Sequence, residues 1–156
     1  MALPNHIKAE FLDGNVNARS DTLRVALVSD NTAYTFDPDT HEFVDDVLDG
    51  GTTAEEFAGT GYNRQGLSNV TVTQDDTDDE GVIDADNTVF TGLDGDTIQA
   101  ILVYKQVGGD DTTPGDDPIV VVLDDDSAGS VADLPQNTNG GDITIEWDTE
   151  GVVTFS

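Results

Sequence analysis

The chain contains no cysteine. Disulfides and thiolate metal sites are therefore excluded, and nothing follows about redox compartment. Cationic side chains are almost as scarce. Lys8, Arg19, Arg24, Arg64 and Lys105 are the only ones in 156 residues. They are scattered, so no basic stripe exists to follow a phosphate backbone, and no nucleic-acid partner is expected. An anionic membrane surface would repel the chain too, so no membrane partner is expected. The two histidines, His6 and His41, lie in different segments with no second His at metal-ligand spacing. Structural or surface roles are expected for both. The longest strongly apolar run, Ile119 to Leu123, is far too short to span a bilayer. There is no Gly-x-Ser-x-Gly elbow and no glycine-rich phosphate loop. Paired carboxylates of the glycosidase type carry no weight where carboxylates are everywhere. No enzymatic activity and no catalytic residue are expected.

Acid is what the chain has in quantity. There are 33 Asp and Glu residues, and the formal net charge is −28. Disorder is one reading of such a charge, but the acids alternate with good strand sequences. A calcium-loaded protein is a second. Solvation in very salty water is the third, because at about 1 M salt the Debye length is roughly 3 Å and repulsion among surface carboxylates is largely screened. The acids run the whole length of the chain and Lys is nearly absent, which puts the high-salt reading first.

The length favours one domain over residues 1–156. Asn5 to Asp13 reads as a helix, capped by Asn5 and ended at Gly14, with Ile7 and Phe11 on one face. Thr22 to Val28 reads as a strand with Leu23, Val25 and Leu27 inward. Thr40 to Leu48 reads as a second short helix capped by Thr40, and Gly59 to Tyr62 as a turn. Strands are expected at Ser68 to Thr73 and Thr88 to Thr91, with Asp75 to Gly81 a polar connector. Thr97 to Val107 and Ile119 to Leu123 are apolar on both faces, which suits doubly buried strands. The closing stretch reads as a hairpin: Ile143, Ile145 and Trp147 inward, a turn from Asp148 to Gly151, and a return from Val152 to Phe155. Residues 108–117 and 124–139 read as exposed, mobile loops. Together these segments predict a mainly β protein. The expected form is an antiparallel β-sandwich, Ig-like or jelly-roll-like, of about seven or eight strands with one or two short helices. The expected core is Leu23, Val25, Leu27, Val70, Val72, Ile98, Leu102, Tyr104, Ile143, Ile145 and Trp147.

The metal candidates are Asp76, Asp78, Glu80 and Asp84. Asp76, Asp78 and Glu80 fall at the first, third and fifth positions of a calcium loop, with Gly81 at the sixth and an apolar Ile83 at the eighth. Position twelve is Asn87 where a bidentate Glu belongs, and strands flank the loop where helices belong. A solvated hairpin loop is the alternative. No cofactor is expected, with bound Na, K, Mg or Ca ions left open.

Several ordered segments resemble a family of small virion structural proteins of tailed viruses and prophages. They are Asp21-Thr22-Leu23-Arg24-Val25-Ala26-Leu27-Val28, His41-Glu42-Phe43, Gly59-Thr60-Gly61-Tyr62, Asp84-Ala85-Asp86-Asn87-Thr88-Val89-Phe90, Ala100-Ile101-Leu102-Val103-Tyr104-Lys105 and the closing Gly140-Gly141-Asp142-Ile143-Thr144-Ile145-Glu146-Trp147-Asp148-Thr149-Glu150-Gly151. The resemblance implies a non-enzymatic virion component with no catalytic residues to carry over. The surplus of acid fits a virus of a halophilic archaeon. A protein lining packaged DNA should be basic, so the outer surface of the capsid suits this one better. An oligomeric decoration or turret protein is expected, partnered by itself and the major capsid protein, with host-surface contact through the loops open. A tail or neck component is the alternative. A calcium-dependent or carbohydrate-binding β-module is the outsider.

Overall fold

The computed structural model describes residues 2–30, 34–124 and 133–156. The fold is mainly β and antiparallel throughout, with two short helices. Its elements in chain order are α1 (Asn5–Leu12), β1 (Leu23–Ser29), α2 (Val44–Val47), β2 (Gln65–Gly66), β3 (Thr71–Asp75), β4 (Glu80–Asp84), β5 (Thr88–Leu93), β6 (Thr97–Lys105), β7 (Ile119–Asp124), β8 (Gln136–Asn137), β9 (Gly141–Ile145) and β10 (Val153–Phe155). A 3-10 turn at Pro114–Asp116 precedes β7. The central sheet runs β2-β1-β6-β7, with β8 added at one end of β6. Two smaller sheets, β10-β4-β3 and β5-β9, complete the strands. Ten strands among the described residues exceed the expected seven or eight, because β2 and β8 are two-residue pairings that no periodicity signals and β4 begins inside the expected Asp75–Gly81 connector.

The central sheet is apolar on both faces, and each face has its own core. On one face Leu23, Val25 and Leu27 of β1 meet Ile101 and Val103 of β6, Ile83 of β4, Phe90 of β5, Ile145 of β9 and Val153 of β10. This is the sandwich layer, with Ile7 of α1 closing one side. On the other face Ala26 and Val28 join Ala100, Leu102 and Tyr104, covered by Tyr34, Val44, Val47 and Ala54. The alternation of β6 breaks where the β1 pairing shifts register between Val28 and Ser29, which turns Ile98 onto the first face. The expected core therefore divides in two: Leu102 and Tyr104 pack away from Leu23, Val25 and Leu27. Val70, Val72, Ile143 and Trp147 are only half-buried at the rim of the first core.

Three local expectations change. Pro4, not Asn5, stands at the cap of α1. Asn5 is the first helical residue and gives its side-chain N–H to Asp39 Oδ1 at 2.6 Å. Gly14 does follow the helix in the left-handed region, at φ +74°. The second helix is one turn long, and Thr40 does not cap it. Asp46 Oδ2 accepts the N–H groups of Glu42 (3.0 Å) and Phe43 (2.8 Å), which starts the helix at Val44. The closing hairpin does not form as a strand pair. Its turn exists, with Gly151 N–H bonded to Asp148 O at 2.8 Å, but the arms diverge: β9 pairs with β5 and β10 pairs with β4. The turn thus stitches the two small sheets together. Trp147 sits where they part, half-buried, its indole N–H donating to Asp86 O at 3.0 Å.

Candidate functional site

Two features stand out chemically. One is an acidic cluster at the end of the small sheet. Strands β3 and β4 are joined by a turn over 76–79, in which Asp75 Oδ1 accepts N–H bonds from Thr77 (2.7 Å) and Asp78 (3.3 Å). Asp79 takes a left-handed φ of +59°, which Asp tolerates better than most residues. Val152 N–H bonds to Ile83 O at 2.8 Å, so the 148–151 turn lies beside this hairpin. Carboxylate oxygens of Asp75, Asp78 and Glu150 consequently lie within 4.8 Å of one another. The two turns treat their acids differently. Backbone N–H bonds from Thr77 and Asp78 hold the Asp75 carboxyl below the usual range. Glu150 is pushed up, first by loss of hydration and then by the charges of Asp78, Asp75, Glu80 and Asp148.

Of the four metal candidates, only Asp78 belongs to this group. Asp76 is exposed and accepts a bond from Gln74 Nε2 at 2.8 Å. Glu80 faces Asp75 across the ladder, and Asp84 faces Thr71 at its far end. A strand rises about 3.3 Å per residue, so Glu80 and Asp84 stand roughly 13 Å apart along β4. An extended strand cannot wrap one ion as a calcium loop does, so the fold does not bring Asp76, Asp78, Glu80 and Asp84 together. The pattern of oxygens matched, but Val82 and Ile83 are buried and pull the segment into a ladder. Glu150 was missed because it lies 72 positions beyond Asp78 in the chain, and no local signal joins them. The cluster is exposed apart from a half-buried Asp75. It offers a hard cation three carboxylate groups, and without one it is a point of repulsion.

The second feature is where the cations go. Arg64 clamps Glu56 in a two-bond fork, Nε to Oε1 at 2.7 Å and Nη2 to Oε2 at 2.8 Å. Its guanidinium lies over the Tyr104 ring, 5.3 Å from the centroid. Arg24 donates to Asp111 Oδ2 at 2.5 Å and to Arg64 O at 2.6 Å. Asp111 Oδ1 also accepts from the Tyr104 hydroxyl and from Gln106, each at 2.7 Å. Burial pushes the Asp111 carboxyl up, but these two hydrogen bonds and the neighbouring Arg24 and Arg64 charges outweigh it and hold the group below its usual range. Lys105 pairs with Asp21 at 3.0 Å and donates to Asn15 O. Arg19 donates to Val72 O. Lys8 bonds Asn5 Oδ1 at 3.2 Å. Every cationic side chain thus has a partner within the fold, and four of the five bind distant parts of the chain.

The 108–117 loop is shaped by this network. Its tip is exposed, but Asp111 is held as described, and Asp117 is buried with Oδ1 accepting Val107 N–H at 2.7 Å. Asp117 Oδ2 has no hydrogen-bond partner. Burial, the leading cause, raises the Asp117 carboxyl. Of the expected second loop, residues 125–132 lie outside the described residues, while 136–137 form β8.

His41 is buried. Its Nδ1 accepts Asp37 N–H at 3.0 Å, which places the neutral ring's proton on Nε2, and the Tyr34 hydroxyl lies 3.4 Å from the same nitrogen. Burial lowers its pKa against the raising influence of Asp37, Asp46 and Asp49. This ring is a packing element of the second core's cover. No described helix is long and apolar enough to cross a membrane. No family model, curated protein or solved structure matches the chain significantly, so function is argued from its own residues.

Proposed function

We propose that the chain is a non-enzymatic virion structural protein: an oligomeric decoration or turret protein on the outer capsid surface of a tailed virus of a halophilic archaeon. One observation carries the reading. Of the described carboxylates only Asp117 and Asp124 are buried, while the cations are spent on internal ties. The outside is left almost purely anionic. Such a surface binds water and counterions in brine, where screening removes most of the repulsion. It is unsuited to lining DNA. A doubly packed sheet with its polar loops pinned by Arg24 and Arg64 is a rigid building block, and the segments resembling virion proteins give it a setting. Its partners in this reading are further copies of itself and the major capsid protein.

The test is the composition of particles purified from cells that encode the chain. Decoration predicts on the order of hundreds of copies per particle, whereas about a dozen or fewer would place the chain in the tail or neck. Its absence from particles would overturn the virion reading altogether.

A further inference from the structure

We propose that the groove between α1 and the β10-β4-β3 sheet is a self-association site that receives Leu12 of a second copy. The groove has a volume of about 460 Å³ and is floored by Phe11, Val16, Val72, Val82 and Phe155. The Phe11 and Phe155 rings meet edge-on, 5.0 Å between centroids. Leu12 stands on its rim and is 89% exposed, the most exposed large apolar side chain among the described residues.

Charge selects the occupant. The chain carries 33 acids, yet no Asp or Glu side chain lines this groove among the described residues, and Arg19, one of only five cations, does. Two surfaces as anionic as this one meet with least repulsion where carboxylates are missing. The groove is such a place, so a partner as acidic as this chain is admitted there. Shape selects it further. A knob beside its own hole is what a twofold contact requires: each copy inserts Leu12 and receives the other's. Arg19, held at the groove by its bond to Val72 O, also covers an outward carbonyl of β3. That favours a side-chain contact over strand addition at this edge. The inference supplies a contact for the multi-copy reading and rests on it for the need of one, but its test does not pass through the particle.

Sedimentation of the purified full chain at about 0.5 M and about 3 M KCl tests it, because screening should strengthen the association of like-charged copies. The dissociation constant is expected to fall as salt rises. Leu12→Gln should weaken association at least about tenfold. Because Leu12 is so exposed, the variant should keep the wild-type melting temperature. Val89→Gln, at the other exposed apolar position, should associate like wild type. A photoreactive benzoylphenylalanine at position 12 should cross-link to Val72, Val82 or Phe155 of another copy. A chain that stays monomeric at about 1 mM in high salt, a Leu12→Gln variant that associates like wild type, or cross-links confined to other surfaces would each overturn the proposal. A dimer of this kind that never enters particles would sink the virion reading and leave the groove standing.

Discussion

Replacing Arg64 with Met keeps most of the side-chain stem and removes the guanidinium. The Arg64 side chain is 12% exposed and its partner Glu56 31% exposed. A fully exposed ion pair contributes about 0–1 kcal/mol. Deleting one member of a buried pair costs about 3–5 kcal/mol. This pair lies between those limits, and its loss also removes the cation–π contact with Tyr104, about 0.5–1 kcal/mol. Glu56 keeps the Tyr62 hydroxyl, 2.7 Å away, and regains some water. The expected loss is therefore about 2–3 kcal/mol, or roughly 5–10 °C in melting temperature for a chain of this size. Thermal unfolding followed by circular dichroism measures it, and Glu56→Gln with the double variant isolates the coupling. Because Arg64 is largely shielded, the loss should agree within about 0.5 kcal/mol at about 1 M and about 3 M KCl. A loss below about 0.5 kcal/mol, or one that vanishes in high salt, would show an ordinary surface pair and refute the reasoning.

The acidic cluster should respond in the opposite way. Glu150→Gln should raise the melting temperature at low salt and leave it unchanged at high salt; no salt dependence would remove repulsion as the cause. For His41 the folded-state pKa lies below the unfolded one, so its contribution to stability is complete above about pH 6.5 and is lost as pH falls through the folded value. Melting temperature should drop as pH falls below about 6.5, and His41→Asn, whose Oδ1 can still accept Asp37 N–H, should flatten that step; an unchanged step would assign it to another group. Gly151 has φ +90°, and a Cβ there would stand 2.6 Å from Ile83 O. Gly151→Ala should cost at least about 2 kcal/mol from the left-handed backbone and the forced shift together, read in the same melts; a neutral variant would mean that the turn does not lock β10 to β4.

Strands β6 and β7 were legible because nearly unbroken apolar runs announce burial on both faces, and β1 because Leu23, Val25 and Leu27 alternate; the burial of Ala26 and Val28 on its other face was not read. Helix α1 was legible from its spacing and from Gly14. The expected strands at Ser68 to Thr73 and Thr88 to Thr91 overlap β3 and β5, but β4 between them was not read. That strand, Glu80–Asp84, has two adjacent buried residues, Val82 and Ile83, set among acids and glycine, so its first two residues read as the end of a polar connector and the rest carried no strand signal. The closing turn was visible in Asp148 and Gly151, but whether its arms pair with each other or with β5 and β4 depends on residues 48 to 74 positions away. The cover of the second core comes from Tyr34, Val47 and Ala54, which share no period. The cation network was invisible for the same reason as the acidic cluster: Arg24 and Asp111 are 87 residues apart. Sequence showed that cations were few, and only the fold shows that each is engaged.

The most direct test of an acid coat serving solvation in brine is the melting temperature in KCl, NaCl and tetramethylammonium chloride from about 0.2 to about 3 M, with a chelator present. The expected result is a continuous rise with ionic strength whichever monovalent cation supplies it. A flat curve, or full stability restored at low salt by calcium alone, would contradict it.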